Sequence, residues 1–163
     1  MLSIRPALQE DVPLLREMIH EFAKFEKLAA VVTEADLLRD GFGEAPKFRV
    51  LFAEWGGKLA GYALFFGYYS TFEGRSAIFL EDIYVRHEFR GHGIGKALMA
   101  RLAVIAKQEN CFGLRWEVLD WNTPAIDFYK KMGATFLDPW KNVVLSGEAF
   151  EKLVSEQNAV ESR

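Results

Sequence analysis

The chain has 163 residues, 50% of them apolar and 26% charged, which suits one globular domain with a sizeable core. A formal net charge of −3 gives no basic field for a nucleic-acid partner, and the single cysteine, Cys111, excludes a disulfide framework and a multi-cysteine metal site. Acids within the first dozen residues and the lack of a long apolar run predict neither a secretory signal nor a membrane span, and an intracellular, cytoplasmic location follows as the expectation.

Leu2 to Arg5 alternates as a short strand, and Pro6 ends it. Glu10 and Asp11 open a helical pattern that tolerates Pro13 in its first turn and carries Leu14, Leu15, Met18, Ile19 and Phe22 as an apolar stripe. Phe25 and Leu28 either extend that stripe or begin the loop. Thr33 is the expected cap of a second short helix, with Asp36 at the capping-box position, Leu37 and Leu38 facing inward, and Gly41 and Gly43 stopping it. Phe48 to Trp55 and Lys58 to Ser70 read as two strands joined by the hairpin signal Gly56-Gly57.

Thr71 to Arg75 then turns the chain into its organising stretch, Ser76 to Cys111. Ser76 to Val85 is apolar and β-branched, a well-buried strand interrupted by the adjacent acids Glu81 and Asp82. In a regular strand these two face opposite ways. The glycine-dense turn Arg90-Gly91-His92-Gly93-Ile94-Gly95 follows, then a helix with Ile94, Leu98, Leu102 and Ile105 on one face. Strand, glycine turn and helix start make an anion cradle suited to a phosphorylated cofactor, because glycines allow close approach and first-turn N–H groups point outward.

Gly113 leads into a strand expected over Leu114 to Leu119. Thr123 and Pro124 read as cap and first residue of a helix running to Met132, stopped by Gly133. Ala134 to Leu137 and Lys141 to Leu145 are expected closing strands about the turn at Asp138-Pro139. Ser146 is the expected cap of a last helix, with Leu145 and Phe150 as its hydrophobic staple. The order predicts an α/β chain with an early hairpin, a mixed sheet and helices on both faces. Residues 1–156 read as one domain and 157–163 as a frayed tail. Gly91-x-Gly93-x-Gly95 lacks the spacing of a dinucleotide GxGxxG turn, and no Walker GKS or GKT closes it.

Arg90 to Gly95 fits the signature R/Q-x-x-G-x-G/A. Together with EADLLRDGFGE (34–44), LEDIYV (80–85) and WNTPAIDFYKKMGA (121–134), it makes the chain resemble the GCN5-related N-acetyltransferases, in the diamine branch that holds the spermidine/spermine and thialysine enzymes. The resemblance covers about residues 3–153. It implies a mixed, mostly antiparallel seven-stranded sheet splayed between its fourth and fifth strands. It also implies acetyl-CoA as cosubstrate with its pantetheine arm along the fourth strand, a small-molecule amine as acceptor, and a homodimer; no metal is expected, since His20, His87 and His92 are scattered without ligand spacing.

Site residues follow partly from chemistry and partly from that resemblance. Arg90, Gly91, His92, Gly93, Ile94, Gly95 and Lys96 are the expected pyrophosphate cradle, mainly through backbone amides, although His92 can equally point outward. Ile83, Tyr84 and Val85 offer backbone groups to the pantetheine arm, Asn122 is either a cofactor contact or a helix-start residue, and Lys131 meets either phosphate or solvent. An ammonium has no lone pair with which to attack, so an acid must take its proton; the resemblance favours Glu81, directly or through water. Tyr129 matches the position of the general acid that protonates the leaving thiolate. Glu26, Phe72, Glu81 and Asp82 are the expected contacts of a cationic acceptor.

Two departures bear on the acceptor. Where the polyamine enzymes carry an acidic pair in their first substrate loop, this chain has Ala29-Ala30. Where they carry an acid, a proline and a tryptophan before the organising strand, it has Ser70-Thr71-Phe72. Fewer carboxylates favour a short diamine or a lysine-like amino acid over a long polycation. Acetylation of a protein amine and a non-catalytic acyl-CoA-binding module stay open as alternatives.

Overall fold

The structure is a computed structural model that describes residues 1–161, the last four by backbone alone. It divides into two compact units, Met1–Glu117 and Val118–Arg163.

The first unit holds a sheet of five strands in sequence order among the described residues: β1 (Leu2–Pro6), β2 (Arg49–Trp55), β3 (Lys58–Ser70), β4 (Arg75–Val85) and β5 (Leu114–Trp116). β1 to β4 pair antiparallel, and β5 joins β4 in parallel. Three helices belong to this unit, α1 (Val12–Phe25), α2 (Glu34–Gly41) and α3 (Ile94–Gln108). Alternation assigns the faces. Val50, Phe52, Tyr62 and Leu64 pack with Val12, Leu15 and Met18 of α1 and Leu37 of α2. α3 lies against β3 and β4, with Ile94, Leu98 and Leu102 buried as its spacing requires. Truncating a fully buried leucine such as Leu15 or Leu98 to alanine costs about 2–5 kcal/mol.

Polar contacts fix the entry to α1. Asp11 is buried; it accepts from Arg5 Nη1 at 2.6 Å, Arg5 Nη2 at 3.0 Å and the Leu8 amide at 2.7 Å. The Arg5 guanidinium holds its carboxyl below the usual range. At the other end, Arg86 donates to both carboxylate oxygens of Glu21 at 2.9 and 2.8 Å, to Glu17 at 2.7 Å, and to the Leu59 carbonyl at 3.3 Å, tying β4 to α1. The Thr33 capping box is present, with the Asp36 amide donating to Thr33 Oγ1 at 3.1 Å and the Thr33 amide to Asp36 Oδ2 at 3.0 Å.

The second unit carries α4 (Thr123–Lys131) and α5 (Gly147–Glu161). Here the fold departs from expectation. Ala134–Leu137 and Lys141–Leu145 form no strand, so the described sheet has five strands and not seven. Both segments lack a ladder partner, without which extended backbone is not a strand, and Val143 is 89% exposed. Only the turn between them is present, with the Trp140 amide donating to the Leu137 carbonyl at 3.1 Å. Leu145 and Phe150, the expected staple, are about half exposed. α5 continues past Gln157, where the tail was expected, to Glu161; residues 162 and 163 of that tail lie outside the described residues. Among the described residues no helix is long and apolar enough to cross a membrane.

Candidate active site

β4 organises the site through a break in its own pattern. Leu64 of β3 pairs with Asp82, but Phe65, the next residue, pairs with Leu80. Glu81 is therefore an extra residue, a β-bulge, and the expectation that Glu81 and Asp82 face opposite ways fails for that reason. Both acids line one cleft of about 540 Å³. Its apolar walls are Ile19, Val32, Leu37, Phe48, Leu64 and Phe66, and a single cation, Lys47, stands at it too. The bulge also accounts for the short β5. Pairing of β5 with β4 stops at Leu80↔Trp116, immediately before Glu81, so the strand expected to reach Leu119 ends at Trp116. A bulge disrupts the ladder and increases local twist, which parts the two strands. The edge of β4 from Glu81 to Val85 is thus left without a β5 partner.

Asp82 is half-buried and accepts a hydrogen bond from the Tyr62 hydroxyl at 2.9 Å. Burial pushes its carboxyl up to about 6; the Tyr62 hydrogen bond opposes this, and the negative fields of Glu81 and Glu26 add to it. Burial likewise raises the Glu26 carboxyl. Glu81 is exposed, on the solvent side of the pair. Glu81, Asp82 and Glu26 therefore act on a common region. Phe72, by contrast, is 94% exposed in the turn between β3 and β4 and does not line the cleft.

The glycine turn follows β4 directly. Gly91 and Gly93 have φ of +81° and +74°, left-handed values that a side chain would strain. Gly93 caps α3 with no side chain to accept from its first amides, so the N–H groups of Ile94, Gly95 and Lys96 are available to an anion. The Arg90 side chain is occupied elsewhere. Its Nε donates to the Val85 carbonyl at 3.0 Å, and its guanidinium lies 4.6 Å from the Phe25 ring centroid. His92 turns its Nδ1 toward the Phe89 and Arg90 carbonyls at 3.2 and 3.0 Å and its ring against Trp55, 4.7 Å between centroids. Ile83, Tyr84 and Val85 pair with β3 on one edge, and the Tyr84 ring packs against Phe22, 5.6 Å between centroids.

In the second unit, Tyr129 is 6% exposed on α4, its ring 5.4 Å from that of Phe128. Asn122, not Thr123, caps this helix: its Oδ1 accepts from the Ala125 amide at 3.4 Å. Its helix-start reading is therefore the observed one. Lys131 is exposed in the last turn, where a cation suits the helix dipole.

Two residues escaped the sequence: Lys47, which lines the cleft, and the buried Tyr62, which donates to Asp82. Tyr62 reads as one of many aromatics in β3 until the β3–β4 register places it beside Asp82. Lys47 is an unremarked cation just before β2; the signal that could have found it is a charge flanked by Pro46 and Phe48 at the mouth of a buried strand.

A family model described as the Acetyltransferase (GNAT) family matches residues 14–134. A thialysine N-epsilon-acetyltransferase of Sus scrofa is 40% identical over 166 residues, covering 94% of this chain and 97% of that protein. An L-ornithine N5-acetyltransferase of Arabidopsis thaliana is 36% identical over 95 residues, 58% of this chain and 42% of that protein. Among solved structures, an integron cassette protein from the mobile metagenome of V. cholerae superposes with a TM-score of 0.80 at 25% identity, covering 94% of this chain and 97% of that one.

Proposed function

The chain belongs to the acetyltransferase (GNAT) family, and from that premise we propose that it transfers an acetyl group from acetyl-CoA to the primary amine of a small cationic molecule, a diamine or a lysine-like amino acid, by direct attack in a ternary complex. The observation that carries this reading is the bulge that turns both Glu81 and Asp82 into one cleft beside the open edge of β4. When bound, acetyl-CoA supplies the activated thioester. The uncapped amides at the start of α3 fit its pyrophosphate, and the edge of β4 over Ile83 to Val85, which has no β5 partner and on which Arg90 takes the Val85 carbonyl, fits its pantetheine arm.

Asp82 receives the ammonium, assisted by the field of Glu26. An alkylammonium with a pKa near 10.4 gives its proton to a carboxylate of pKa 3.8 at a cost of about 9 kcal/mol; at about 6, where burial holds Asp82, that cost is about 6 kcal/mol. Glu81, on the solvent side, takes the proton onward to water. The freed lone pair forms the new C–N bond as the C–S bond breaks. Tyr129 is assigned the last proton transfer, from its phenol to the departing sulfur, and the second proton of the acceptor nitrogen, lost as the amide forms, restores the phenol.

The test is acetyl-CoA-dependent thiol release over a panel of diamines, polyamines, basic amino acids and amino-terminal peptides. The expected result is turnover of a small amine that falls about 100-fold or more in Tyr129→Phe and in Asp82→Asn, and less in Glu81→Gln. Acetyl-CoA binding without turnover of any free amine would refute the assignment.

A further inference from the structure

The cleft that holds Glu81 and Asp82 also holds one residue of opposite charge. Lys47 stands in the loop between α2 and β2, its Nζ 2.8 Å from Asp40 Oδ1 at the end of α2. Asp40 is shared between two cations, since Arg39 donates to both of its oxygens, at 3.2 and 2.5 Å, as well as to Asp36 at 3.0 Å. An ammonium has three N–H donors, and the ion pair with Asp40 engages one of them. The remaining walls of the cleft are apolar, including Leu37, Phe48, Leu64 and Phe66. The cleft therefore combines two acids, apolar walls and a cation.

A diamine is complementary to only half of that arrangement: one ammonium meets Asp82, and the other meets Lys47. A basic amino acid is complementary to all of it, with its side-chain ammonium at Asp82, its methylenes along the apolar walls and its carboxylate at Lys47. We propose that Lys47 is a specificity residue, which binds the carboxylate of a basic amino acid and repels the second ammonium of a diamine. Attraction for one acceptor and repulsion of the other act in the same direction on the ratio of rates. The inference rests on the reading that the Glu81–Asp82 end receives the reacting amine.

The pair lysine and cadaverine tests it, with ornithine and putrescine as the shorter pair, since the members of each differ only by the carboxylate. Wild-type protein is expected to show a kcat/KM about tenfold or more higher for each amino acid than for its diamine. In Lys47→Met that ratio collapses: the amino acid loses about tenfold, mostly in KM, and the diamine gains severalfold. Tenfold corresponds to about 1.4 kcal/mol, the size of one charge-assisted hydrogen bond in a partly solvated site. Lys47→Arg restores the preference. The Lys47 side chain is 73% exposed and its surface ion pair contributes little to stability, so these variants should melt with the wild type. The same ratio in wild type and Lys47→Met would overturn the role of Lys47 while leaving amine acetylation standing. Turnover of neither member of either pair would instead overturn the proposed function, and this inference with it.

Discussion

Replacing Asp82 by Asn should make the protein more stable and less active at the same time. Burial raises the folded-state pKa of Asp82 from 3.8 to about 6. A carboxyl that binds its proton more tightly when folded costs nothing below about pH 4. It destabilises progressively between about pH 4 and 6, and its cost is constant above. A shift of about 2 pH units corresponds to roughly 3 kcal/mol at pH 7.5. Asn keeps an oxygen to accept from the Tyr62 hydroxyl and removes the buried charge, along with its repulsion from Glu81 and Glu26. Urea or thermal unfolding of both proteins at pH 4.5 and 7.5 isolates the effect, because ionisations elsewhere cancel in the difference. Asp82→Asn should be more stable by about 2–3 kcal/mol at pH 7.5 and by much less at pH 4.5; for a chain of this size that is several degrees in Tm. A difference independent of pH, or a variant less stable at pH 7.5, would refute the assignment of a buried, raised carboxyl.

Tyr62→Phe removes the one hydrogen bond that holds the Asp82 carboxyl down, so the acid limb of kcat/KM against pH should move to higher pH; a limb that stays in place would separate Asp82 from that ionisation. Gly93→Ala meets no neighbouring atom but forces a side chain to φ +74°, at about 1–2 kcal/mol, and should weaken acetyl-CoA binding roughly tenfold by titration calorimetry. Arg86→Ala leaves the Glu21 carboxylate without its bidentate partner and should destabilise the chain by about 1–3 kcal/mol in urea unfolding. Asp11→Ala should destabilise through the lost Arg5 and Leu8 bonds. Because the folded pKa of Asp11 is lowered, its contribution in the wild type is present above the unfolded value and fades as pH falls through the folded one.

Local signals carried most of the first unit. Thr33 and Asp36 form the capping box their spacing predicts, and β3 begins and ends at Lys58 and Ser70, as the Gly56-Gly57 turn and the run of aromatics predict. These features are set by contacts within a few residues. The site was less legible because it depends on register. Nothing in LEDIYV distinguishes a regular strand from one with an extra residue at Glu81, since the bulge is defined by which β3 residue sits opposite. The same bulge shortened β5 and brought Tyr62 to Asp82, so one unseen register shift accounts for three departures. Ala134–Leu137 and Lys141–Leu145 read as closing strands about the Asp138-Pro139 turn, but a local reading cannot supply the neighbouring strand that a ladder needs.

The most direct measurement is the pH dependence of kcat/KM for a small amine acceptor in wild-type protein and in Asp82→Asn. If the bulged acid pair deprotonates the acceptor, the wild-type rate climbs as pH rises through about 6, and the variant loses that limb together with about 100- to 1000-fold in rate. A variant that retains the limb and the rate would contradict any part for Asp82 in the chemistry.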